Sequence, residues 1–228
     1  MHLLITAATG FELAGIQARW PAGTYTGAAE VRYLVSGVGP VLSAVATTEA
    51  VLAGRPDLVL NVGIAGAFDR ELALGEVVHV THDSFGDLGV EERDGSFTGA
   101  VALGLLDANE PPFVRGQLVS SSPFAFAKQV VGVTNATVHG SAESIARFRE
   151  RSEAQVESME GAAVAYVALR QNLPHVQLRA ISNYVEPRDR ANWKIGEALA
   201  ALTEAVDALI AALPGASAAR SARRQLGR

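Results

Sequence analysis

The sequence predicts a single α/β domain with a mixed, mostly parallel central sheet flanked by helices. Short apolar segments with strand character alternate with amphipathic segments of helical length along the 228-residue chain, and no long linker separates them. The segment over residues 57–62 is apolar at nearly every position. That pattern is typical of a strand covered on both faces, as in a parallel sheet.

The elements follow in order from apolar segments and turn signals. Pro40 suits the first turn of the second helix, because the N–H that proline lacks has no partner there. The predicted strands cover residues 3–7, 31–35, 57–62, 75–80, 115–120, 155–158 and 176–182, and the predicted helices cover residues 11–19, 41–53, 161–170 and 195–212. We expect residues 1–213 to form the domain and residues 214–228, rich in Ala, Ser and Arg, to be a flexible tail.

Composition excludes several classes of function. Hydrophobic residues make up 49% and charged residues 19% of the chain, which indicates an ordinary globular protein. The net charge of −5 argues against nucleic acid as a partner, since phosphate binding favours a basic face. No apolar run approaches the ~18 residues of a membrane span, and no cationic segment precedes the apolar start, so we expect neither a membrane partner nor a signal peptide.

Cysteine and histidine usage narrows the chemistry further. The chain has no cysteine, which excludes disulfides, a thiolate nucleophile and cysteine-ligated metals, and fits a cytoplasmic location. His79 and His82 are three residues apart on a predicted strand, so their side chains should face opposite ways. His139 and His175 stand alone and receive no role. We therefore expect no metal site.

Two motifs place polar groups at the ends of predicted elements. Residues 158–163 read Ser-Met-Glu-Gly-Ala-Ala, which puts the carboxylate of Glu160 at the start of an apolar helix. Residues 179–183 read Arg-Ala-Ile-Ser-Asn and put Asn183 at the carboxyl end of a buried strand, where open α/β sheets bind ligands. A carboxylate can accept hydrogen bonds from two ribose hydroxyls, and an amide can donate to a base. Taken alone, Glu160 could equally be a helix cap and Asn183 a turn residue.

These motifs resemble those of the nucleoside phosphorylase and nucleosidase superfamily. Within it they look most like the futalosine hydrolases of menaquinone biosynthesis. The resemblance spans the chain to about Leu213 and is strongest over residues 158–163 and 178–193. It implies a nucleoside phosphorylase-like fold, a small nucleoside and water as substrates, no cofactor, and a homo-oligomer of two or more subunits.

The resemblance also implies roles for acidic residues and for an aromatic one. Glu160 is expected to grip the 2′ and 3′ hydroxyls, with Met159 packed under the sugar. Glu12, in the loop after the first strand, is expected to orient and deprotonate the attacking water. Phe124 is expected to stack on the purine. On residue type alone, Glu12 could be an exposed acid at a helix start, and Phe124 could be core packing.

Two glycine-containing segments are expected to be loops that line the nucleoside pocket. The first, over residues 37–39, contributes Val38, and the second, over residues 63–66, contributes Gly63, Ile64 and Gly66. Glycine lets a backbone approach a ligand closely. Tight turns between a strand and a helix are the alternative explanation.

The segment over residues 184–193 is expected to face the 5′ substituent of the nucleoside. Futalosine carries an aryl carboxylate at the end of that substituent, for which Trp193 and an arginine are suitable partners. We hypothesise that Arg188 or Arg190 contacts the carboxylate. An exposed charged turn is the alternative.

Two positions separate the candidate reactions. In adenine-releasing nucleosidases an Asp usually stands where this chain has Asn183, and an amide favours a 6-oxopurine because it can donate to N7 or O6. Related phosphorylases carry an Arg where this chain has Asn61, so water is the expected nucleophile.

The alternatives are an adenine-releasing nucleosidase acting on aminodeoxyfutalosine, methylthioadenosine or S-adenosylhomocysteine, a purine nucleoside phosphorylase, and a nucleoside-binding protein without turnover. A dehydrogenase is disfavoured because Leu42 replaces the third glycine of the dinucleotide fingerprint.

Overall fold

The computed structural model describes residues 1–26, 29–120 and 127–213. Phe124 and the expected tail over residues 214–228 lie outside the described residues. The strands are β1 (His2–Ala7), β2 (Tyr25–Thr26), β3 (Ala29–Val35), β4 (Leu58–Ala67), β5 (Val77–Asp83), β6 (Gly89–Glu91), β7 (Phe97–Gly99), β8 (Leu118–Val119), β9 (Lys128–Thr134), β10 (Val156–Ser158) and β11 (His175–Tyr184). The helices are α1 (Gly10–Arg19), α2 (Pro40–Ala53), α3 (Ala142–Arg151), α4 (Gly161–Arg170) and α5 (Ile195–Ala212), with a 3-10 turn at Arg190–Asn192.

The central sheet is mixed and mostly parallel, which confirms the predicted single-domain α/β class. Its strand order is β10-β9-β5-β11-β4-β1-β3-β2, and β8 is attached to β5. The pairs β1–β3, β1–β4, β4–β11, β5–β9 and β9–β10 are parallel. Strand β10 also pairs with the end of β4 in the antiparallel direction, so β4, β11, β5, β9 and β10 close into a ring. Within the described residues, no helix has the length and apolar character needed to span a membrane.

Helices cover both faces of the sheet because the strand side chains alternate between two apolar layers. Leu3 and Ile5 of β1 pack in one layer with buried residues of α1 and α5. Leu4, between them, points to the other layer and packs with Val51 of α2 and Val164 of α4. Each of these fully buried aliphatic side chains contributes about 2 kcal/mol of transfer free energy. Both faces are therefore apolar, and the polar site is left to the strand ends.

The sequence prediction was wrong about the second glycine segment. Residues 63–66 are not a loop: they lie inside β4, which runs on to Ala67. Gly66 is paired on both sides, with Glu157 of β10 and Asn183 of β11. Those pairings join residues far apart in the sequence, so the glycines alone could not reveal a strand.

Other differences have local causes. The strand predicted over residues 115–120 shrinks to Leu118–Val119, because Arg115 and Gly116 have φ angles of 53° and 76° and form a turn. The prediction missed β9 and α3. Helix α3 is strongly charged, and Phe148 is its only buried residue, so it shows little apolar pattern. Its start is marked by the capping box that Ser141 forms with Ser144.

Candidate active site

A cavity of about 470 Å³ opens where the carboxyl ends of β1, β4, β10 and β11 meet the start of α1. Open α/β sheets bind ligands at such strand ends. Nine of the eleven residues that the sequence proposed for the site line this cavity: Glu12, Val38, Ile64, Gly66, Met159, Glu160, Asn183, Arg188 and Trp193. Gly63 is not part of the lining, although a Cβ placed on it would lie 2.8 Å from Glu12 Oε1, and Phe124 is outside the described residues.

Glu160 lies at the helix start but does not cap it. It is the N-cap residue of α4, yet its side chain makes no capping hydrogen bond to the described residues. Its Oε1 instead accepts a 3.0 Å hydrogen bond from the backbone N–H of Gly39. Burial raises the pKa of Glu160 above its ordinary value, while the charge of Arg179 and the Gly39 N–H oppose that shift. The capping alternative is therefore wrong, and the carboxylate is held at the cavity wall.

The first glycine segment is a loop, and its conformation places the Gly39 donor. Gly37 and Gly39 have φ angles of 81° and 91°, which other residues rarely adopt. Pro40 follows at the start of α2, as the sequence predicted. The turn presents the Gly39 N–H to Glu160 and leaves Val38 half exposed at the cavity.

Glu12 is fixed by both of its carboxylate oxygens. Its Oε2 accepts from the N–H and hydroxyl of Thr9 at 3.0 and 2.9 Å, completing a capping box at the start of α1. Its Oε1 accepts from the Ile64 N–H at 3.2 Å. Glu12 is half-buried, not the exposed acid of the alternative interpretation. Glu12 thus belongs both to the capping box and to the cavity wall. Its hydrogen bonds hold the carboxylate in a fixed orientation, which general-base catalysis requires.

Arg179 is a site residue whose role sequence reasoning missed. It lies on β11 beneath the cavity and is only 1% exposed. Its Nη2 donates to Asn61 Oδ1 at 2.5 Å. Burial lowers the pKa of Arg179, and the charges of Glu160, Glu12 and Asp83 oppose that change in this order of strength. A cation between the apolar residues Leu178 and Ala180 of a predicted strand was the available signal, because a buried charge requires partners.

The amide of Asn183 is oriented by its neighbours. Ser182 Oγ donates to Asn183 Oδ1 at 2.8 Å, and Asn183 Nδ2 donates to the Tyr184 carbonyl at 3.0 Å. The Oδ1 atom is thereby fixed as an acceptor from serine. One of the two N–H groups of Nδ2 is left to donate toward the cavity.

Two arginines flank an indole on one side of the cavity. The guanidinium carbons of Arg188 and Arg190 lie 5.3 and 5.9 Å from the ring centroid of Trp193. All three residues line the cavity. Because both arginines are exposed, their charges can meet an anionic group at the entrance without a large desolvation cost.

Sequence reasoning also gave no role to His139 and did not select Glu157. Both line the cavity, and His139 Nδ1 lies 2.7 Å from Glu157 Oε2. Glu157 lies between Val156 and Ser158 in a strand of three buried residues, which is too short to show an alternation of apolar and polar side chains. A carboxylate on a buried strand was the only signal in the sequence.

Among the described residues, no group of three or more His, Asp or Glu side chains could hold a metal ion. His79 and His175 are buried in the protein interior. Burial lowers the pKa of His175 to about 4, so this imidazole is neutral at physiological pH. Neither histidine lines the cavity.

Fold and site together define an α/β protein with a cavity of nucleoside size, whose wall combines two fixed carboxylates with a donor amide. The family model described as the phosphorylase superfamily matches residues 20–215. The chain belongs to this superfamily.

Individual relatives agree with that assignment. The futalosine hydrolase of Streptomyces coelicolor is 38% identical, over 92% of this chain and 95% of the relative. The futalosine hydrolase of Thermus thermophilus is 34% identical, over 81% of this chain and 83% of the relative. Among solved structures, a futalosine hydrolase mutant of Helicobacter pylori superposes with a TM-score of 0.78 at 18% identity, covering 93% of this chain and 100% of that one. At that identity the likeness bears on the fold alone.

Proposed function

We propose that the protein hydrolyses the N-ribosidic bond of futalosine, releasing hypoxanthine and dehypoxanthine futalosine for menaquinone biosynthesis. One observation carries the proposal: Glu12, Glu160 and Asn183 come from distant parts of the chain and line a single cavity. The relatives named futalosine hydrolase, at 34–38% identity over most of the chain, support the choice of substrate.

The charges at the site suit a positively charged transition state. Glycosidic bonds to purines break through an oxocarbenium-like state, in which positive charge develops on the ribose. Glu160 and Glu12 border the cavity, and the buried Arg179 opposes their charge from below. With both acids ionised, these three groups carry a net charge of −1. A fixed negative field stabilises a ribosyl cation more than the uncharged ribose of the substrate, which is how an electrostatic site lowers a barrier.

Each carboxylate has a separate task in this mechanism. Glu160, held by the Gly39 N–H, accepts hydrogen bonds from the 2′ and 3′ hydroxyls and fixes the ribose. Glu12 holds a water on the ribose face opposite the base and takes its proton as the new C–O bond forms. As the C1′–N9 bond breaks, the Asn183 amide donates a hydrogen bond to N7 or O6 and stabilises the electron pair that the base takes as an anion. The hypoxanthine anion then takes a proton from solvent, and Glu12 releases to solvent the proton that it took from water.

Water is the nucleophile in this proposal. Asn61, where related phosphorylases carry an arginine, is buried and does not line the cavity. Its Oδ1 accepts from Arg179 and its Nδ2 donates to the Thr6 carbonyl at 3.3 Å. An uncharged side chain with both ends engaged offers little attraction to phosphate.

The remaining parts of the proposal concern the 5′ group, the location and the assembly. Arg188 or Arg190 contacts the aryl carboxylate, with Trp193 stacked on the ring. Absence of cysteine fits action in the cytoplasm. We expect a homo-oligomer in which a second copy covers the exposed apolar face of α2, because exposed apolar patches of this kind mark association sites. That face carries Val41, Leu42, Val45 and Leu52.

The test is an assay of purified protein with futalosine, aminodeoxyfutalosine and methylthioadenosine, each with and without phosphate. Chromatography identifies the free base and the sugar product. We expect hypoxanthine from futalosine, at a rate that phosphate does not change. Adenine as the main product would contradict the choice of futalosine. It would instead indicate the activity of the methylthioadenosine/S-adenosylhomocysteine nucleosidases, which include a Staphylococcus aureus relative at 25% identity. A sugar phosphate would identify a phosphorylase, and binding without any product would identify a nucleoside-binding protein.

A further inference from the structure

Besides Glu12 and Glu160, the cavity is lined by the buried carboxylate of Glu157, for which the proposed hydrolysis has no use. Glu157 is 4% exposed and is the middle residue of β10. It lies apart from the pair formed by Glu12 and Glu160 around Arg179, and its hydrogen-bond partners are different residues. Burying a carboxylate costs free energy unless hydrogen-bond donors satisfy it, so the position of Glu157 at a ligand cavity indicates a role there.

Glu157 stands in register with the base-binding amide. In the sheet, Gly66 of β4 is paired with Glu157 on one side and with Asn183 on the other. Residues in register on neighbouring strands point to the same face of a sheet, and the two outer strands are about 10 Å apart. A Cβ on Gly66 would lie 3.2 Å from Asn183 Nδ2 and 3.6 Å from Glu157 Cγ. Val185 Cγ2 would lie 3.0 Å from the same Cβ, so the absence of a side chain at Gly66 lets the amide, the acid and Val185 converge at one point of the cavity wall.

The donors around Glu157 leave one acceptor position open. Its Oε2 accepts from His139 Nδ1 at 2.7 Å and from Asn135 Nδ2 at 3.5 Å. Its Oε1 accepts from the His139 N–H at 3.1 Å. A carboxylate has about four acceptor positions, and the described residues supply these three donors. The His139 ring also packs against Phe148, with centroids 4.4 Å apart, so the imidazole that orients Glu157 is itself held in place.

We infer that Glu157 accepts a hydrogen bond from N1–H of a 6-oxopurine bound in the cavity beside Asn183, and so selects hypoxanthine against adenine. This inference rests on the proposed function and identifies Glu157 as the side chain that distinguishes hypoxanthine from adenine. Asn183 donates to N7 or O6, and Glu157 accepts from N1–H. Adenine has an unprotonated N1, which would face the carboxylate as a second acceptor. Mismatched buried polar groups are rejected far more strongly than a small difference in size.

Within this inference, His139 is a positioning residue. Because a carboxylate can only accept, His139 Nδ1 carries the proton in the 2.7 Å contact. That bond and the backbone N–H of the same residue fix the plane of the Glu157 carboxylate.

The test is equilibrium binding of the free bases, which does not depend on turnover of futalosine. Hypoxanthine, adenine and 1-methylhypoxanthine, which lacks N1–H, are titrated into the wild type, E157Q, E157A and D83N by calorimetry at pH 7. We expect the wild type to bind hypoxanthine roughly 10- to 100-fold more tightly than either other base, since a hydrogen bond to a charged group is at stake. In E157Q the preference over adenine should fall below about 3-fold, because an amide can face either base.

E157A and D83N separate a specific effect from a structural one. E157A removes the acid and makes room, so it should bind 1-methylhypoxanthine about as tightly as hypoxanthine. Asp83 is a buried acid outside the cavity, and D83N should keep the wild-type preference. The wild-type comparison of hypoxanthine with 1-methylhypoxanthine needs no variant, so it remains decisive even if E157Q fails to fold.

Three results would overturn the inference: an unchanged preference in E157Q, equal binding of hypoxanthine and 1-methylhypoxanthine by the wild type, or no binding of hypoxanthine. Futalosine hydrolysis is measured on the same preparations. Hydrolysis with an unchanged preference rejects the role of Glu157 and leaves the proposed function intact. A preference that collapses in E157Q, in a protein that does not cleave futalosine, supports the base contact and rejects the proposed function.

Discussion

The side chains of Glu12 and Arg179 both lie over the backbone of Gly63. A Cβ added to Gly63 would lie 2.8 Å from Glu12 Oε1 and 2.9 Å from Arg179 Nη1. The absence of a side chain at this position therefore lets the half-buried carboxylate and the buried guanidinium approach the same point of β4. This explains a glycine inside a strand, where glycine is otherwise unfavourable.

Replacing Gly63 with alanine should damage catalysis while leaving the fold in place. The added methyl displaces Glu12 and Arg179 together, and a displacement near 1 Å in a catalytic group costs about 100-fold in rate. We expect kcat/KM for futalosine to fall by about that factor. The matched control is G196A, because a Cβ on Gly196 meets no atom within 4 Å. If G196A and G63A lose activity equally, the close approach over Gly63 is not what matters.

Glu12→Gln tests the general base without removing the helix cap. Glutamine can still accept from Thr9 in the capping box, so α1 should form normally. Without a group that takes the proton from water, kcat should fall roughly 10²- to 10⁴-fold with little change in KM. The one hydrogen bond from Ile64 is lost, which lowers the melting temperature by about 2–4 °C. Activity close to wild type, at the same melting temperature, would remove Glu12 from the mechanism.

Sequence alone predicted the fold well wherever the apolar pattern was strong and local. The helices predicted over residues 161–170 and 195–212 are Gly161–Arg170 and Ile195–Ala212 in the structure. The errors arose from relationships between distant segments. The course of β4 through Gly66 depends on pairing with β10 and β11, which no local pattern encodes.

The site was predictable to the same extent. Glu160 and Asn183 stand at element ends, where position suggests a ligand. Glu157 and Arg179 lie within buried strands. Their contacts with other polar residues exist only in the folded chain, so the sequence alone does not show that these charges belong to the site. His139 is linked to the site through its contact with Glu157, which is 18 residues away in the sequence.

Asn183→Asp should shift base preference. The introduced carboxylate would place a negative oxygen toward O6 of hypoxanthine, whereas in its protonated form it could donate a proton to N7 of adenine. We expect hypoxanthine release from futalosine to fall roughly 10- to 100-fold and adenine release from aminodeoxyfutalosine to rise relative to it. Both rates are measured by separating the free bases over a range of pH on either side of neutrality. Equal losses for both substrates would mean that Asn183 has a structural role only.

The arginines beside Trp193 can be tested with a short and a long substrate. Arg188→Ala and Arg190→Ala should raise KM for futalosine, by about 10-fold for the arginine that meets the carboxylate, and leave inosine cleavage nearly unchanged. Inosine has no aryl carboxylate, so it reports on the rest of the site. The control is Arg147→Ala, an exposed arginine outside the cavity that pairs with Glu143 at 3.0 Å. Equal effects on both substrates would reject the contact.

Asp83 should make stability depend on pH between about pH 4 and about pH 6. It is buried, and burial raises its pKa from 3.8 to about 6 against the lowering effects of Gln177, Arg179, Ser84 and Thr134. Because the folded pKa lies above the unfolded one, its contribution to stability is fully present below about pH 4 and is lost as the pH rises to about 6.

Comparing the wild type with D83N isolates this contribution, because asparagine does not titrate and can still accept from Gln177. Between about pH 4 and about pH 7, the free energy of unfolding of the wild type should fall relative to that of D83N by up to about 3 kcal/mol. Denaturant unfolding of both proteins at several pH values gives the difference directly. Asp94 behaves in the opposite sense and at lower pH: hydrogen bonds from Ser96 lower its pKa from 3.8, so its contribution is lost only as the pH falls below about 4 and stays constant over the range in which Asp83 titrates. A difference between the wild type and D83N that stays constant across this range would mean that Asp83 does not change its charge there.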